Sequence, residues 1–485
     1  MRQAENIKKR AVTGLRWTAG MTVLSALIGP LLQVVKARYM LASELASVAM
    51  FMLVYGFLQV IENAGMQETL IQKKNLTQAE KSTLFLLSVI MGLSGVTIMV
   101  FTASILEQKT NVPGTAKLLV YGSPLFFFAQ VNQFFRSLLH RELIYKGPSI
   151  IVIAQRSLTL IFLLVFFMLN MGALSVVYAM LISTFISTVG LIVLVFRLGV
   201  FKPQKSIDLS ILSYFFSFGV PVALKRIFTY FTRRSDELFI AVTLAPEVLG
   251  YYHLAKETLD KIITLVSSSF SKILLPLFSR INGSRKNLGK AYKNITLAVS
   301  YTGIPIFVGI CLTASNLVPA IFGENWSEAI LPFQVLSIAA IPTVLTANLA
   351  TSLLYSVGKS KRVLILDVII NSMYLTVLYI YGPIGFDFIL FSYFGYCFLK
   401  AFSLQVMVNK SLEISPAKHF GLYLRVSMRV LLMAGAIVSV NMFLSGSNNY
   451  LVNSTLLILT GVIIMPTITM YTDREAINLL KLMIK

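Results

Sequence analysis

Fourteen long apolar runs restrict this chain to the membrane. They cover approximately residues 12–39, 44–65, 82–104, 114–139, 148–169, 173–196, 209–241, 247–278, 294–314, 328–357, 363–382, 387–409, 421–444 and 451–471. About 20 apolar residues suffice for a helix to cross some 30 Å of hydrocarbon, and each run is of that order. The runs are continuous, whereas the strands of a membrane barrel show shorter alternating segments. The sequence therefore predicts an all-α integral membrane protein of about fourteen transmembrane helices. Composition agrees: 56% of the residues are apolar and 13% charged, about half the charge of an ordinary soluble domain. A soluble globule of this composition could not cover its own core.

The formal charge of +22 would suggest nucleic-acid binding in a soluble protein. Here its distribution follows the membrane. With the N-terminus placed in the cytoplasm, the inside segments collect 25 of the 42 Lys and Arg residues and the outside loops one, Lys109. Loop asymmetry of that kind sets orientation, so both termini are expected in the cytoplasm. Residues 1–39 show no signal-peptide cleavage site. The remaining 16 bases lie inside the runs, where charge is expensive and tends to mark a pathway.

An internal repeat organises the runs. Leu41-Ala42-Ser43-Glu44-Leu45 follows run one, and Leu244-Ala245-Pro246-Glu247-Val248 follows run seven, an offset of 203 residues. Each joins two runs through a short outside turn, and each second run leads into a basic inside loop. A repeat after an even number of spans keeps its orientation, so the two lobes are parallel. The expected organisation is an N-lobe over 1–203, a C-lobe over 204–415 and a C-terminal helix pair over 416–485, with the basic linker 197–208 at the lobe boundary. Two six-helix lobes in parallel pseudo-repeat are the layout of an alternating-access transporter, which does not by itself name a substrate.

Chemistry has to come from the charges within the runs. Run seven holds Lys225, Arg226, Arg233 and Arg234, with Asp236 and Glu237 near its outer end. Lys225 and Arg226 lie too deep for a simple inner flank, whereas Arg233 can pair with Glu237 at i+4. Run eight carries Lys256, Glu257, Asp260 and Lys261, two i,i+4 pairs that can neutralise themselves. Arg16 opens run one and can also snorkel to the inner surface. Bases outnumber acids, which favours an anionic ligand, most simply a phosphate or pyrophosphate held by Arg forks. Arg16, Lys225, Arg226, Arg233, Arg234 and Lys256 are its candidate binders. Gln133, Arg136, Arg156 and Asn371 are candidates for a polar cavity face. Asp236, Glu257, Asp260 and Asp367 could take a coupling proton or sodium ion, the alternative for Asp367 being a bond to a neighbouring base. Lys400, Arg425 and Arg429 are accounted for by the inner interface.

Enzyme signatures fail. Gly358-Lys359-Ser360 resembles the end of a phosphate-binding loop, but Leu353 stands where that motif needs glycine. No Gly-x-Ser-x-Gly elbow and no His-Glu-x-x-His occur. The two cysteines, Cys311 and Cys397, and the three scattered histidines imply neither a disulfide nor a metal cluster. No cofactor is expected.

Several segments, in order, resemble the polysaccharide transport family, the oligosaccharide flippases of the multidrug/oligosaccharidyl-lipid/polysaccharide exporter superfamily, in its colanic-acid and teichuronic-acid exporter-like branch. They are Ala11-Val12-Thr13-Gly14-Leu15-Arg16-Trp17, Glu62-Asn63-Ala64-Gly65-Met66 leading into Leu70-Ile71-Gln72-Lys73-Lys74, and Leu138-Leu139-His140-Arg141-Glu142-Leu143-Ile144-Tyr145-Lys146. Asp236 with Leu249-Gly250-Tyr251-Tyr252, then Leu275-Pro276-Leu277-Phe278-Ser279-Arg280, Phe322-Gly323-Glu324-Asn325-Trp326 and the Gly358-Lys359 turn complete the set. Ile240-Ala241 departs from the family's usual Ile-Gly. The resemblance implies two lobes around a cationic cavity, with Arg16, Lys225 and Arg226 at positions where the family carries basic residues. It also implies a monomer in a bacterial cytoplasmic membrane. The monomer would pass undecaprenyl-pyrophosphate-linked oligosaccharides from the cytoplasmic to the outer leaflet, for O-antigen, exopolysaccharide or capsule. Membrane lipids are its surroundings, a polymerase and glycosyltransferases its expected partners, and nucleic acid is not among them. The rival readings are a drug or metabolite exporter of the same superfamily, which needs an acidic cavity, a membrane glycan polymerase or ligase, which needs a large outside loop, and a scaffold built on a dead transporter fold.

Overall fold

The computed structural model describes residues 20, 28–63, 66, 69–70, 73, 75–281, 283–444 and 449–473. Among the described residues every regular element is helical. Helices α1 (28–39), α2 (Ala42–Asn63), α3 (Gln78–Lys109), α4 (Thr115–Arg141), α5 (Lys146–Met168), α6 (Leu174–Arg197) and α7 (Ser210–Thr243) are followed by the long α8 (Pro246–Ile281). Then come α9 (Arg285–Phe322), α10 (Glu324–Ser356), α11 (Ser360–Tyr381), α12 (Phe386–Leu412), α13 (Pro416–Leu444) and α14 (Tyr450–Thr472). Among the described residues each apolar run falls on one helix. Ten of them, α2, α3, α5, α6 and α9–α14, are long and apolar enough to cross a membrane. Helices α4, α7 and α8 are not among those ten and carry many of the polar groups singled out above, with others on α5 and α11. Phe101, Phe402, Met442, Phe443 and Tyr471 are among many large side chains left exposed; such a surface belongs in lipid rather than water.

Packing divides the chain into two compact units, Met1–His253 and Leu254–Lys485. The division falls inside α8, not in the basic linker 197–208. The reason is visible in the first unit, where the linker is strapped to the start of α3. Lys202 N donates to Gln78 Oε1 at 3.1 Å, Gln204 N to Ser82 Oγ at 2.9 Å, and Asp208 N to Thr83 Oγ1 at 2.9 Å. In return Lys81, itself buried, donates to the Val200 carbonyl at 3.0 Å. Phe201 is 2% exposed and packs with Phe85, Phe134 and Phe135. Thr77 and Glu80 form a reciprocal capping box that starts α3. At the linker's end, hydrogen bonds from the Ser210 hydroxyl and N–H hold the exposed Asp208 carboxyl below the usual carboxylate range.

Both copies of the repeated turn have the expected form. α1 ends at residue 39 and α2 begins at Ala42; α7 ends at Thr243 and α8 begins at Pro246. The two second helices meet at their starts, with Gly250 against the Ala42 carbonyl. Around them α3 packs on α4, α4 and α5 on α6, and α2 on α4 and α7.

In the second unit α9 packs against α10, α13 and α14, and α12 lies against α10 and α11. Pro342 cannot donate to the helical ladder, and α10 widens there into a π turn over Thr343–Ala347. Such turns often accompany functional positions. The helix pair α13–α14 is clasped at one end by Asp473, which is 2% exposed. Arg425 reaches its carboxylate at 2.7 Å, Arg429 at 3.4 Å, and the Tyr301 hydroxyl from α9 donates to it as well. The inner-interface bases Arg425 and Arg429 thus have a structural task.

Candidate functional site

The bases of α7 stand on a helix of 34 residues. Lys225 and Arg226 are exposed near its middle, and Arg233 is exposed two turns further on. Arg234 pairs with Glu237. Glu237 and Asp236 are both fully buried, which a membrane interior permits only for satisfied carboxylates. The first turns of α8 satisfy them. The Tyr252 hydroxyl donates to Asp236 Oδ2, Asp236 Oδ1 accepts from the Glu237 N–H at 2.9 Å, and His253 Nδ1 lies 3.3 Å from Glu237 Oε2. The i,i+4 spacing points to Arg233 for Glu237; the structure also gives Glu237 Arg234 and His253 as partners. Tyr230, on the same helix, donates to the Leu53 carbonyl at 2.7 Å and ties α7 to α2.

A second polar group joins α4, α5 and α6. Asn132, 3% exposed, donates to Ser187 Oγ at 3.0 Å and Thr188 Oγ1 at 3.2 Å. Its own carbonyl accepts from Arg136 at 2.7 Å, so the amide orients the guanidinium. Arg156 and Tyr55 lie close enough to act on Arg136 electrostatically, and Gln59 donates to the Tyr55 hydroxyl at 2.7 Å. The Arg136 Nε is buried with no hydrogen-bond partner. Along the seam Gln155 donates to Thr184 at 2.9 Å and Thr159 meets Ser183 at 2.7 Å. Arg156 itself is exposed, and Gln133 is half-buried. Arg136 and Arg156, named from sequence as cavity residues, are therefore brought together. Arg16 lies outside the described residues.

The second unit holds the other candidates. Lys256 is buried, its Nζ 5.1 Å from the Tyr393 ring centroid. Lys256 and Asp260 border a small cavity closed by Leu336, Ala339, Thr343 and Tyr393. Glu257 pairs with Lys261 at 3.2 Å, as the i,i+4 spacing predicts. Asp367 is paired with Lys400 at 3.0 Å, and Asn371, 4% exposed, accepts from the Tyr396 hydroxyl at 3.0 Å. Lys400, assigned from sequence to the inner interface, belongs to this network instead, because the facing surfaces of α11 and α12 bring it to Asp367. Among the described residues no cluster of His, Cys, Asp and Glu could hold a metal ion.

Sequence reading missed the partners more than the charges. Tyr252, His253 and Asn132 stand in apolar runs and make the bonds that decide what the charges do. Tyr374, Tyr393 and Tyr396, with ring centroids 4.6 to 6.3 Å apart, cluster beside Asn371. Their spacing along the chain resembles ordinary packing. Only Tyr396 and Lys400, one turn apart as Asp367 and Asn371 are, offered a signal.

Comparison with known proteins adds a lineage. Residues 35–331, more than half of the chain, match a family described as "Polysaccharide biosynthesis protein". The lipopolysaccharide biosynthesis protein WzxC of Escherichia coli (strain K12) is 22% identical over 340 residues, 69% of this chain and 68% of WzxC. The teichuronic acid biosynthesis protein TuaB of Bacillus subtilis (strain 168) is 22% identical over 344 residues, 70% of each chain. Among solved structures, the lipid II flippase MurJ in an inward closed conformation superposes with a TM-score of 0.76 at 15% identity, covering 96% of this chain and 100% of that one. At that identity the likeness is one of fold.

Proposed function

The chain belongs to the polysaccharide biosynthesis protein family, and from that premise we propose that it is a flippase for lipid-linked oligosaccharides. The lipid carrier is undecaprenyl pyrophosphate, and the movement is from the cytoplasmic to the outer leaflet of a bacterial cytoplasmic membrane. Both termini lie in the cytoplasm, as the 25 to 1 loop asymmetry requires. The products feed surface polysaccharide assembly, where a polymerase and the glycosyltransferases are the natural partners.

One observation carries this reading: the exposed pair Lys225 and Arg226 midway along α7. At about 1.5 Å per residue they stand some 20 Å from either end of the helix, beyond the reach of a snorkelling side chain. A base at the bilayer centre costs roughly 3 kcal/mol or more, and two adjacent exposed bases midway along the helix favour an anion as ligand. A pyrophosphate supplies the anion, and arginine forks match its oxygens. Arg136, oriented by Asn132, with Arg156 and Gln133, offers donors to the sugars. The acids of α7 are buried and bonded, which leaves the exposed surface of that helix basic. An exporter of organic cations would require the opposite sign.

Replacing Lys225 or Arg226 with Ala should abolish surface polysaccharide and accumulate the lipid-linked precursor, with membrane levels of the protein unchanged. Lys225→Arg should retain export. Normal surface polysaccharide in both alanine variants, measured by glycan immunoblot, would contradict the assignment.

A further inference from the structure

The Asp367 network in the second unit bears on how the transporter is driven. Asp367 and Asn371 stand one turn apart on α11; Tyr396 and Lys400 stand one turn apart on α12. The two rungs interlock. Lys400 Nζ lies 3.0 Å from Asp367 Oδ1 and 3.4 Å from the Tyr396 hydroxyl, and 5.7 Å from the Tyr396 ring centroid. The Tyr396 hydroxyl in turn donates to Asn371 Oδ1 at 3.0 Å. Lys400 is near the middle of its helix (Phe386–Leu412), so the ion pair sits at membrane depth, where a lone carboxylate would be costly.

Without the ammonium, what remains around its position is a carboxylate oxygen and a phenol oxygen, with the Asn371 carbonyl bonded to that phenol behind them. Hard oxygen donors with a single negative charge are the ligand set of a small monovalent cation. We infer that Lys400 is a tethered cation that permanently fills this seat, so that the protein exchanges no sodium ion there, and that removing its charge creates a sodium site. The network stays neutral throughout the transport cycle, and the driving force must come from elsewhere. The requirement of Asp367 for a counter-charge, and of Lys400 for an acceptor, is met within the chain.

The test is thermal unfolding of the purified full chain in detergent, in sodium chloride against choline chloride at equal ionic strength. Wild type, Asp367→Asn, Lys400→Met and the double variant are compared. A ligand that binds only the folded state stabilises it by RT ln(1 + [L]/Kd), so the melting temperature climbs with ligand concentration above Kd. Lys400→Met should gain a sodium-specific, concentration-dependent rise of a few degrees, which wild type and the double variant lack. A sodium-dependent rise in wild type that Asp367→Asn removes would overturn the inference. So would a monodisperse Lys400→Met protein with no sodium response. If Lys400→Met does not fold, Lys400→Gln is read by the same criteria. No lipid-linked substrate enters the measurement, so its failure is separate from failure of the flippase reading.

Discussion

A side chain at position 250 would drive its Cβ into the Ala42 carbonyl, and backbone cannot give way as the end of a flexible side chain can. Gly250 therefore sets how closely the start of α8 approaches the start of α2. Gly250→Ala should cost about 1–3 kcal/mol through overpacking, read as a lower melting temperature of the purified protein by fluorescence-detected gel filtration. An unchanged melting temperature would show that the contact is slack. Residue identity made this glycine part of a recognisable segment, Leu249-Gly250-Tyr251-Tyr252, but gave no reason for it. The reason lies 208 positions away, at Ala42. The same limit applies to the charges. Glu257–Lys261 was legible because its partners are one turn apart. For Asp367 a bond to a neighbouring base was a legible alternative, and the structure bears it out; that the base is Lys400, and that Asn132 meets Ser187, depends on which helix faces meet.

Elements were far easier to read than their packing. A run that must hide its backbone polar groups from lipid has little choice but helix, so hydropathy alone located α2 through α14, although α9 extends nine and eight residues beyond its apolar run at its two ends. The linker 197–208 is held more firmly than its composition suggests. Its bases read as a boundary, and its backbone is nonetheless fixed: three N–H groups are tied to side chains of α3 and Phe201 is buried in an aromatic cluster. Phe201→Ala should cost about 3–5 kcal/mol and expose the linker to trypsin at Lys202 and Lys205. Protection equal to that of wild type would mean that the backbone bonds suffice without the ring. The π turn of α10 was also out of reach: Pro342 signals a disruption, but whether the ladder breaks, kinks or widens depends on α12 and α9 packed beside it.

At the scale of the whole molecule, most of the +22 charge is topology. In the proposed orientation the bases of the inside loops set the topology, and the structure gives several of the rest internal duties, Arg425 and Arg429 on Asp473, Arg234 on Glu237 and Lys400 on Asp367. In the proposed function the exposed bases of α7 and the Arg136–Arg156 pair face the substrate. The proposed substrate is a lipid-linked oligosaccharide, with its pyrophosphate held at the basic surface of α7. Proteoliposomes loaded with an undecaprenyl-pyrophosphate oligosaccharide test this most directly, by the rate at which a membrane-impermeant lectin or glycosidase gains access to the glycan. The account predicts that wild type moves the glycan well above the protein-free rate and that a Lys225→Ala, Arg226→Ala double variant, equally reconstituted, falls to that background. A wild-type rate no faster than empty liposomes, or a double variant as fast as wild type, would contradict it.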